Sequence, residues 1–290
     1  MKAFVPRLLL AASLAALAGC AGTLPMAPAV QPSAPGARAA GKAEVLWLGQ
    51  AAMRITTPGG KVIVVDPWLT TNPKTPTDFK NLQALGKVDL ILVTHAHFDH
   101  FGDAPALAKL NNAPIYNAGG MGPAIVSLGI VPNALVQRFG KSGTVAPFGP
   151  TGPKITAVHA EHSSELVWKN PATDKDETHY GGEPVGYLIE LENGFKIWHM
   201  GDTGLFGDMR LIGEIYKPDL VLIPIGGHFT MGPQEAATAV RDWIKPRYAV
   251  PMHYGTNPML RGTPAEFIAA LGAAATTRVV VPEPGQKIDF

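Results

Sequence analysis

The sequence predicts an α/β domain, and three observations carry that prediction. Short runs rich in β-branched and aromatic residues alternate with helical stretches along most of the chain. One run, Val88-Asp89-Leu90-Ile91-Leu92-Val93, is apolar enough to be a strand buried on both faces, as in a parallel or mixed sheet. Residues able to bind metals stand just past the ends of such runs. With 290 residues, 46% of them hydrophobic and 16% charged, the chain has the material for the core of one large domain. Its formal charge of +1 supplies no general field for gathering phosphates, which argues against a nucleic-acid partner and makes any charge-based recognition local.

The order of segments starts with targeting. Lys2 and Arg7 flank a Met1 to Arg7 head, and Leu8 to Leu17 is small and apolar except for Ser13, too short to span a bilayer as a mature anchor. It ends in Leu17-Ala18-Gly19-Cys20, which resembles the bacterial lipobox, where the signal is cut before a cysteine that is then lipidated. Residues 1–20 are therefore expected to be a lipoprotein signal peptide. Residues 21–42, dominated by Pro, Ala, Gly and Ser, are expected to be a linker, and 43–290 the folded domain. That makes the protein an exported lipoprotein, anchored to a membrane and facing the periplasm or cell exterior. Cys20 is the only cysteine, so the domain has no thiol for a disulfide or a metal.

Within the domain, Glu44 to Leu48, Ala52 to Thr57 and Lys61 to Asp66, broken by Pro58-Gly59-Gly60, read as an opening meander. Ala104 to Lys109 and Met121 to Leu128 read as helices around a strand at Pro114-Ile115-Tyr116. Gly186 to Leu191 and Phe195 to Met200 flank Asn193-Gly194, the pair favoured in a type I′ hairpin turn. Leu220 to Ile225 is a strand followed by Gly226-Gly227. A helix from about Pro233 to Ile244 stops at Pro246, and Tyr248 to Met252 is a strand ending at His253. The polar stretch from Lys169 to Glu183 interrupts the strand pattern and is expected to be a flexible loop beside a pocket.

Thr94-His95-Ala96-His97-Phe98-Asp99-His100 places four metal-binding side chains within six positions, directly after the buried strand. Core histidines come singly and solvated loops hold one or two such residues, so this density points to a metal site. Imidazole and carboxylate suit zinc, and also manganese or iron. Two such ions about 3.5–4 Å apart can share a hydroxide that attacks an electrophile. Three more candidate donors follow strands elsewhere: His162, Asp202 and His253.

The heptad resembles the His-x-His-x-Asp-His signature of the metallo-β-lactamase superfamily, and the later segments look like its remaining metal motifs in order. More narrowly, Asp66-Pro67, His162-Ser163-Ser164, Gly201-Asp202-Thr203, Phe229 to Pro233 and Pro251 to Tyr254 resemble uncharacterised metal-dependent hydrolases. These are related to the ascorbate-6-phosphate lactonase and the N-acyl-phosphatidylethanolamine phospholipase D. The resemblance implies an αββα sandwich of two mixed β-sheets flanked by helices. It implies two divalent ions, zinc foremost: His95, His97 and His162 on the first, Asp99, His100 and His253 on the second, and Asp202 bridging. It also implies hydrolysis of a small-molecule or lipid-derived ester, lactone, amide or phosphodiester, with Asp99 steering a proton. Two departures matter. The second-metal cysteine of many zinc β-lactamases has no counterpart, and His97 stands where the flavo-diiron branch usually has glutamate. Both favour hydrolysis other than of antibiotics.

The other histidines divide. His162 is preferred to His159, whose side chain three residues earlier in a strand faces the opposite way. His228, after the two glycines, is placed over the metals as proton donor or oxyanion partner, against the alternative of a loop histidine bonded to backbone. Asp66 is expected to support a metal-site histidine rather than merely begin a turn. His199 is equally readable as core, and His179 as a substrate-selecting residue. Trp168 and Trp243 show no stacking pattern with basic residues. The rival to an enzyme is a lipoprotein that keeps the fold but only binds or scaffolds; a complete donor set argues against it. A lipid-headgroup phosphodiesterase is a further alternative.

Overall fold

The expected signal and lipobox with Cys20, and most of the expected linker, lie outside the residues that the computed structural model describes, which are Met1 and 41–290. Among the described residues no helix is long and apolar enough to cross a membrane.

Among the described residues sixteen strands follow in chain order: β1 (Glu44–Trp47), β2 (Met53–Thr56), β3 (Val62–Val65), β4 (Leu90–Val93), β5 (Ile115–Ala118), β6 (Val136–Phe139), β7 (Thr144–Val145), β8 (Lys154–His159), β9 (Glu165–Asn170), β10 (Lys175–Tyr180), β11 (Val185–Glu190), β12 (Lys196–His199), β13 (Leu220–Pro224), β14 (Tyr248–Met252), β15 (Arg278–Val279) and β16 (Lys287–Asp289). The helices are α1 (Phe98–Phe101), α2 (Ala104–Asn111), α3 (Met121–Ser127), α4 (Met209–Tyr216), α5 (Pro233–Thr238) and α6 (Pro264–Leu271).

Two seven-stranded mixed sheets form, ordered β16-β1-β2-β3-β4-β5-β6 and β15-β14-β13-β12-β11-β8-β7. Each is antiparallel in one half and parallel in the other: the first turns parallel at β3, the second at β12. β3, β4 and β13 are buried at every position, as their unbroken Val/Ile/Leu runs require of strands covered on both faces. One core lies between the sheets, with Val45, Ile63, Leu90 and Leu92 meeting Tyr187, Leu222 and Val250. A second packs the first sheet against α2 and α3 through Leu107, Ile125 and Ile91. A third packs the second sheet against α4, the π-helical continuation of α5 and α6 through Ile212, Val240 and Phe267. Burying each such side chain contributes about 1.5–3 kcal/mol, so three layers of contact hold the strand ends in place. The result is the αββα sandwich.

Two local expectations need correction. Lys169 to Glu183 is not a loop: β9 and β10 pair antiparallel from Glu165↔Tyr180 to Asn170↔Lys175 as a separate two-stranded sheet. Its residues are largely polar because a two-stranded ribbon leaves both faces near water, so the hydrophobic alternation that flags a strand is missing. The Asn193-Gly194 hairpin joins β11 to β12, but the turn is not type I′, since Gly194 has positive φ (+81°) and Asn193 does not. Gly194 N donates to Leu191 O and Leu191 N to Phe195 O, a longer turn closed by the glycine. The helix from Pro233 runs to Ile244 as expected, its second half wound as a π-helix.

Candidate metal centre

The seven donors come from four strand ends. β4 and β12 end at Val93 and His199, β8 at His159 and β14 at Met252; His95, Asp202, His162 and His253 each follow within three residues. Ligand sites of mixed and parallel sheets gather at such carboxyl ends because the loops there share one edge. After β4 the chain makes a short turn into α1, where Phe101 N donates to His97 O. Asp99 and His100 then occupy successive helical positions, roughly 100° apart, with His97 just before them.

Donor atoms fall into two sets. His95, His97 and His162 form one; Asp99, His100, Asp202 and His253 form the other, and within each set the donor atoms lie within 4.8 Å of one another. His95 Nε2 and His97 Nδ1 are 3.0 Å apart. In the second set His253 Nε2 lies 3.0 Å from Asp202 Oδ2 and 3.4 Å from Asp99 Oδ2, and His100 Nε2 lies 3.3 Å from Asp202 Oδ1. Asp202 Oδ2 is also 3.6 Å from His162 Nε2, so this carboxylate stands between the sets.

The donors fit divalent cations. His100 Nε2 and Asp202 Oδ1 are buried and, among the described residues, have no hydrogen-bond partner. Leaving such atoms unsatisfied costs about 1–3 kcal/mol each, and a coordinated cation is what their geometry accepts. Their electrostatics agree. Burial works to raise Asp99, yet the His100 and His253 imidazoles hold its carboxyl at about 2. Burial likewise works to raise Asp202, and the same two histidines outweigh it, holding this carboxyl well below the carboxylate range. Burial would lower His253, but Asp202 lifts it to about 9. His95 differs: burial and then His100 push it well below the usual imidazole value, leaving it neutral and ready to donate a lone pair.

Neighbouring groups fix the donors. Asp66 is wholly buried and accepts from His100 Nδ1 (2.8 Å), Thr94 N (2.8 Å) and Thr94 Oγ1 (2.7 Å), so it orients the ring whose other nitrogen faces the site. His97 Nε2 meets Glu165 Oε2 at 2.9 Å, and Ser163 Oγ donates to the same oxygen. Gln50 Nε2 donates to Asp99 Oδ2 and lies 2.8 Å from His253 Nε2, while Thr256 Oγ1 holds Gln50 Oε1. Gln50, Asp66 and His253 all have left-handed backbone (φ +52°, +49° and +55°), conformations that cost non-glycine residues energy and persist where the surroundings enforce them. Sequence reasoning missed Gln50 and Glu165. The only signal for Gln50 was a polar side chain inside the apolar stretch Leu46 to Met53.

The donors open onto a cavity of about 430 Å³ lined by Gln50, His97, Asp99, His162, Asp202 and His253. Its mouth is apolar: Phe98, Phe229 and Met259 line it and are 69%, 47% and 46% exposed. His228 is not brought here; it is exposed and lines a neighbouring groove, so the expectation of a proton donor over the metals is corrected, because its positive φ (+59°) after Gly226-Gly227 turns the chain outward. His159 instead contacts Glu161 and Lys141. His199 is core, with Nε2 2.8 Å from Ala51 O, and burial lowers its pKa. His179 sits on β10 beside Glu177, facing a separate depression shared with His162 and Ser163.

Such a sandwich, with His/Asp donor sets at converging strand ends, defines a metal-dependent hydrolase of the metallo-β-lactamase kind. A family model described as "Beta-lactamase superfamily domain" matches residues 61–254, and the chain belongs to that superfamily. A UPF0173 metal-dependent hydrolase of Cupriavidus necator is 77% identical over 97% of this chain and 98% of its own. One from Rubrobacter xylanophilus is 45% identical over 78% of this chain and 88% of its own. Among solved structures, Igni18, a metallo hydrolase from the hyperthermophilic archaeon Ignicoccus hospitalis, is 32% identical, with a TM-score of 0.72 over 86% of this chain and 99% of that one. An isothiocyanate hydrolase from Delia radicum gut bacteria shares the fold at 17% identity and a TM-score of 0.61, over 85% of this chain and 99% of its own.

Proposed function

We propose that this metal-dependent hydrolase works with two divalent ions, zinc foremost and manganese or iron as alternatives, on an ester, lactone, amide or phosphodiester. His95, His97 and His162 would hold one ion; Asp99, His100 and His253 the other; Asp202 would reach both. The observation that carries the reading is Asp202, whose Oδ2 faces His253 at 3.0 Å and His162 at 3.6 Å while Oδ1 faces His100 at 3.3 Å. When bound, paired ions supply Lewis acidity and bring the pKa of a water toward neutrality.

The chain's own residues do the rest. Gln50 Nε2 holds Asp99 Oδ2, so the carboxylate keeps one orientation from which it steers the proton that the attacking water releases. Phe98, Phe229 and Met259 offer the substrate an apolar wall and restrict water at the mouth. That wall also favours a substrate with an apolar portion, which a lipid-derived phosphodiester would have. The tethered, exported lipoprotein suggested by Cys20 would put such a substrate within reach. A binding protein without turnover would not need to keep all seven donors gathered in two sets beside one cavity.

The test is metal content by plasma mass spectrometry, beside hydrolysis of a generic phosphodiester and a lactone. Wild type should carry about two ions per chain and turn over at least one substrate, and Asp202→Ala and His97→Ala should lose metal and activity together. A folded, metal-free wild type after metal loading would sink the reading.

A further inference from the structure

We infer that the groove beside the metal cavity is an anion subsite that holds a carboxylate or phosphate on the part of the substrate remote from the bond that is cut. This rests on the hydrolase reading of the metal centre for what the anion is attached to. The groove has a volume of about 570 Å³ and shares Met259 with the metal cavity, so one molecule can lie in both. Its walls carry Arg261, His228 and Gln234.

The donors in this groove are unspent. Arg261 Nε donates to Pro258 O, while among the described residues its two terminal nitrogens meet no carboxylate and no acceptor. Those nitrogens form the edge of a planar fork that matches a carboxylate or phosphate. The side chains of His228 and Gln234 likewise have no hydrogen-bond partner among the described residues. His228 only packs edge-on against Phe229, the residue that walls the metal cavity. Glu266, the one acid lining the groove, is already engaged: its Oε2 accepts from Thr263 N and Thr263 Oγ1 in the box that caps α6. His228 keeps its left-handed backbone because Gly227 N donates to Met231 O and Phe229 N to Gly227 O. Strain of this kind is tolerated where a side chain must point one way. With a formal charge of only +1 on the whole chain, an anion would be recognised locally, by a site such as this.

The proposal predicts binding that does not depend on turnover. Glutarate and inorganic phosphate would each be titrated calorimetrically into the full chain, with wild type, Arg261→Ala and Arg261→Lys loaded with metal and Asp202→Ala as the variant expected to lack it. Arg261 is exposed, so its variants should fold, and thermal melting checks this. For at least one anion the affinity should fall fivefold or more in Arg261→Ala, less in Arg261→Lys, and persist in Asp202→Ala. The anion that responds tells whether the group is a carboxylate or a phosphate. Equal affinity in wild type and Arg261→Ala for both anions would overturn the proposal. So would binding abolished by Asp202→Ala and untouched at Arg261, which would place the anion on the metals. Failure of wild type to hydrolyse any ester would count against the hydrolase reading and leave this binding result standing on its own.

Discussion

The two donor sets differ in how they are held. His100 of the second set is gripped by Asp66, a carboxylate with no exposure that is itself pinned by Thr94 N and Oγ1. His97 of the first set is gripped by Glu165, whose side chain is 54% exposed and stands on the separate β9–β10 ribbon. The same carboxylate–imidazole contact is thus made once in the interior and once in water. Electrostatic attraction strengthens as the local dielectric falls, and an exposed pair is screened and free to exchange with solvent. The second set should therefore be the rigid, tight half of the centre, and the first the adaptable half.

Four substitutions test that contrast. Asp202→Ala, which removes the carboxylate common to both sets, should have the largest effect: activity down by more than about 100-fold, beyond what loss of a supporting contact causes, and metal content reduced at both positions. Retention of two ions per chain would refute the role of Asp202 between the sets. Asp66→Asn keeps the shape of the side chain but removes its charge, and should weaken one of the two ions by about 10–100-fold in competition with a chelator, leaving the other nearly unchanged. Equal weakening of both would remove the distinction between the halves.

Gly201→Ala probes how the halves are joined. Gly201 has φ +63°, and a Cβ there would lie 2.9 Å from Thr94 Cβ, so the segment bearing Asp202 would press on the turn bearing His95. A loss of about 1 kcal/mol or more is expected from the backbone alone, read as a lower melting temperature; an unchanged melting temperature would show that the two segments yield independently. Glu165→Gln should be the mildest, with metal affinity changed by less than about fivefold, because a half-exposed pair contributes about 1 kcal/mol or less. A change as large as that of Asp66→Asn would mean that the ribbon is as much part of the centre as the core.

Much of this centre can be read from the chain because four of its donors lie within one heptad after a buried strand, where local geometry is enough to bring them together. His162, Asp202 and His253 are legible for a related reason: each follows a strand, and strand ends of a layered α/β fold share an edge. Gln50 and Glu165 carry no such mark. Gln50 lies about 200 residues before His253 along the chain, and only the packing of the first sheet on the second sets its amide against that ring. The β9–β10 ribbon escaped notice because a two-stranded sheet in water has no apolar face to announce it.

What the sequence alone determined is the class of fold, the donor types and their order, since hydrophobic period, turn residues and side-chain chemistry are local properties of the chain. The family resemblance already implied which donors share a set and that Asp202 stands between them; the packed sheets supply the distances that bring each set together, set Gln50 and Glu165 against the donors, and turn His228 away from the metals into the groove of Arg261. Those are distances between residues far apart in sequence, and they exist only once the two sheets have packed face to face and brought their strand ends to one edge.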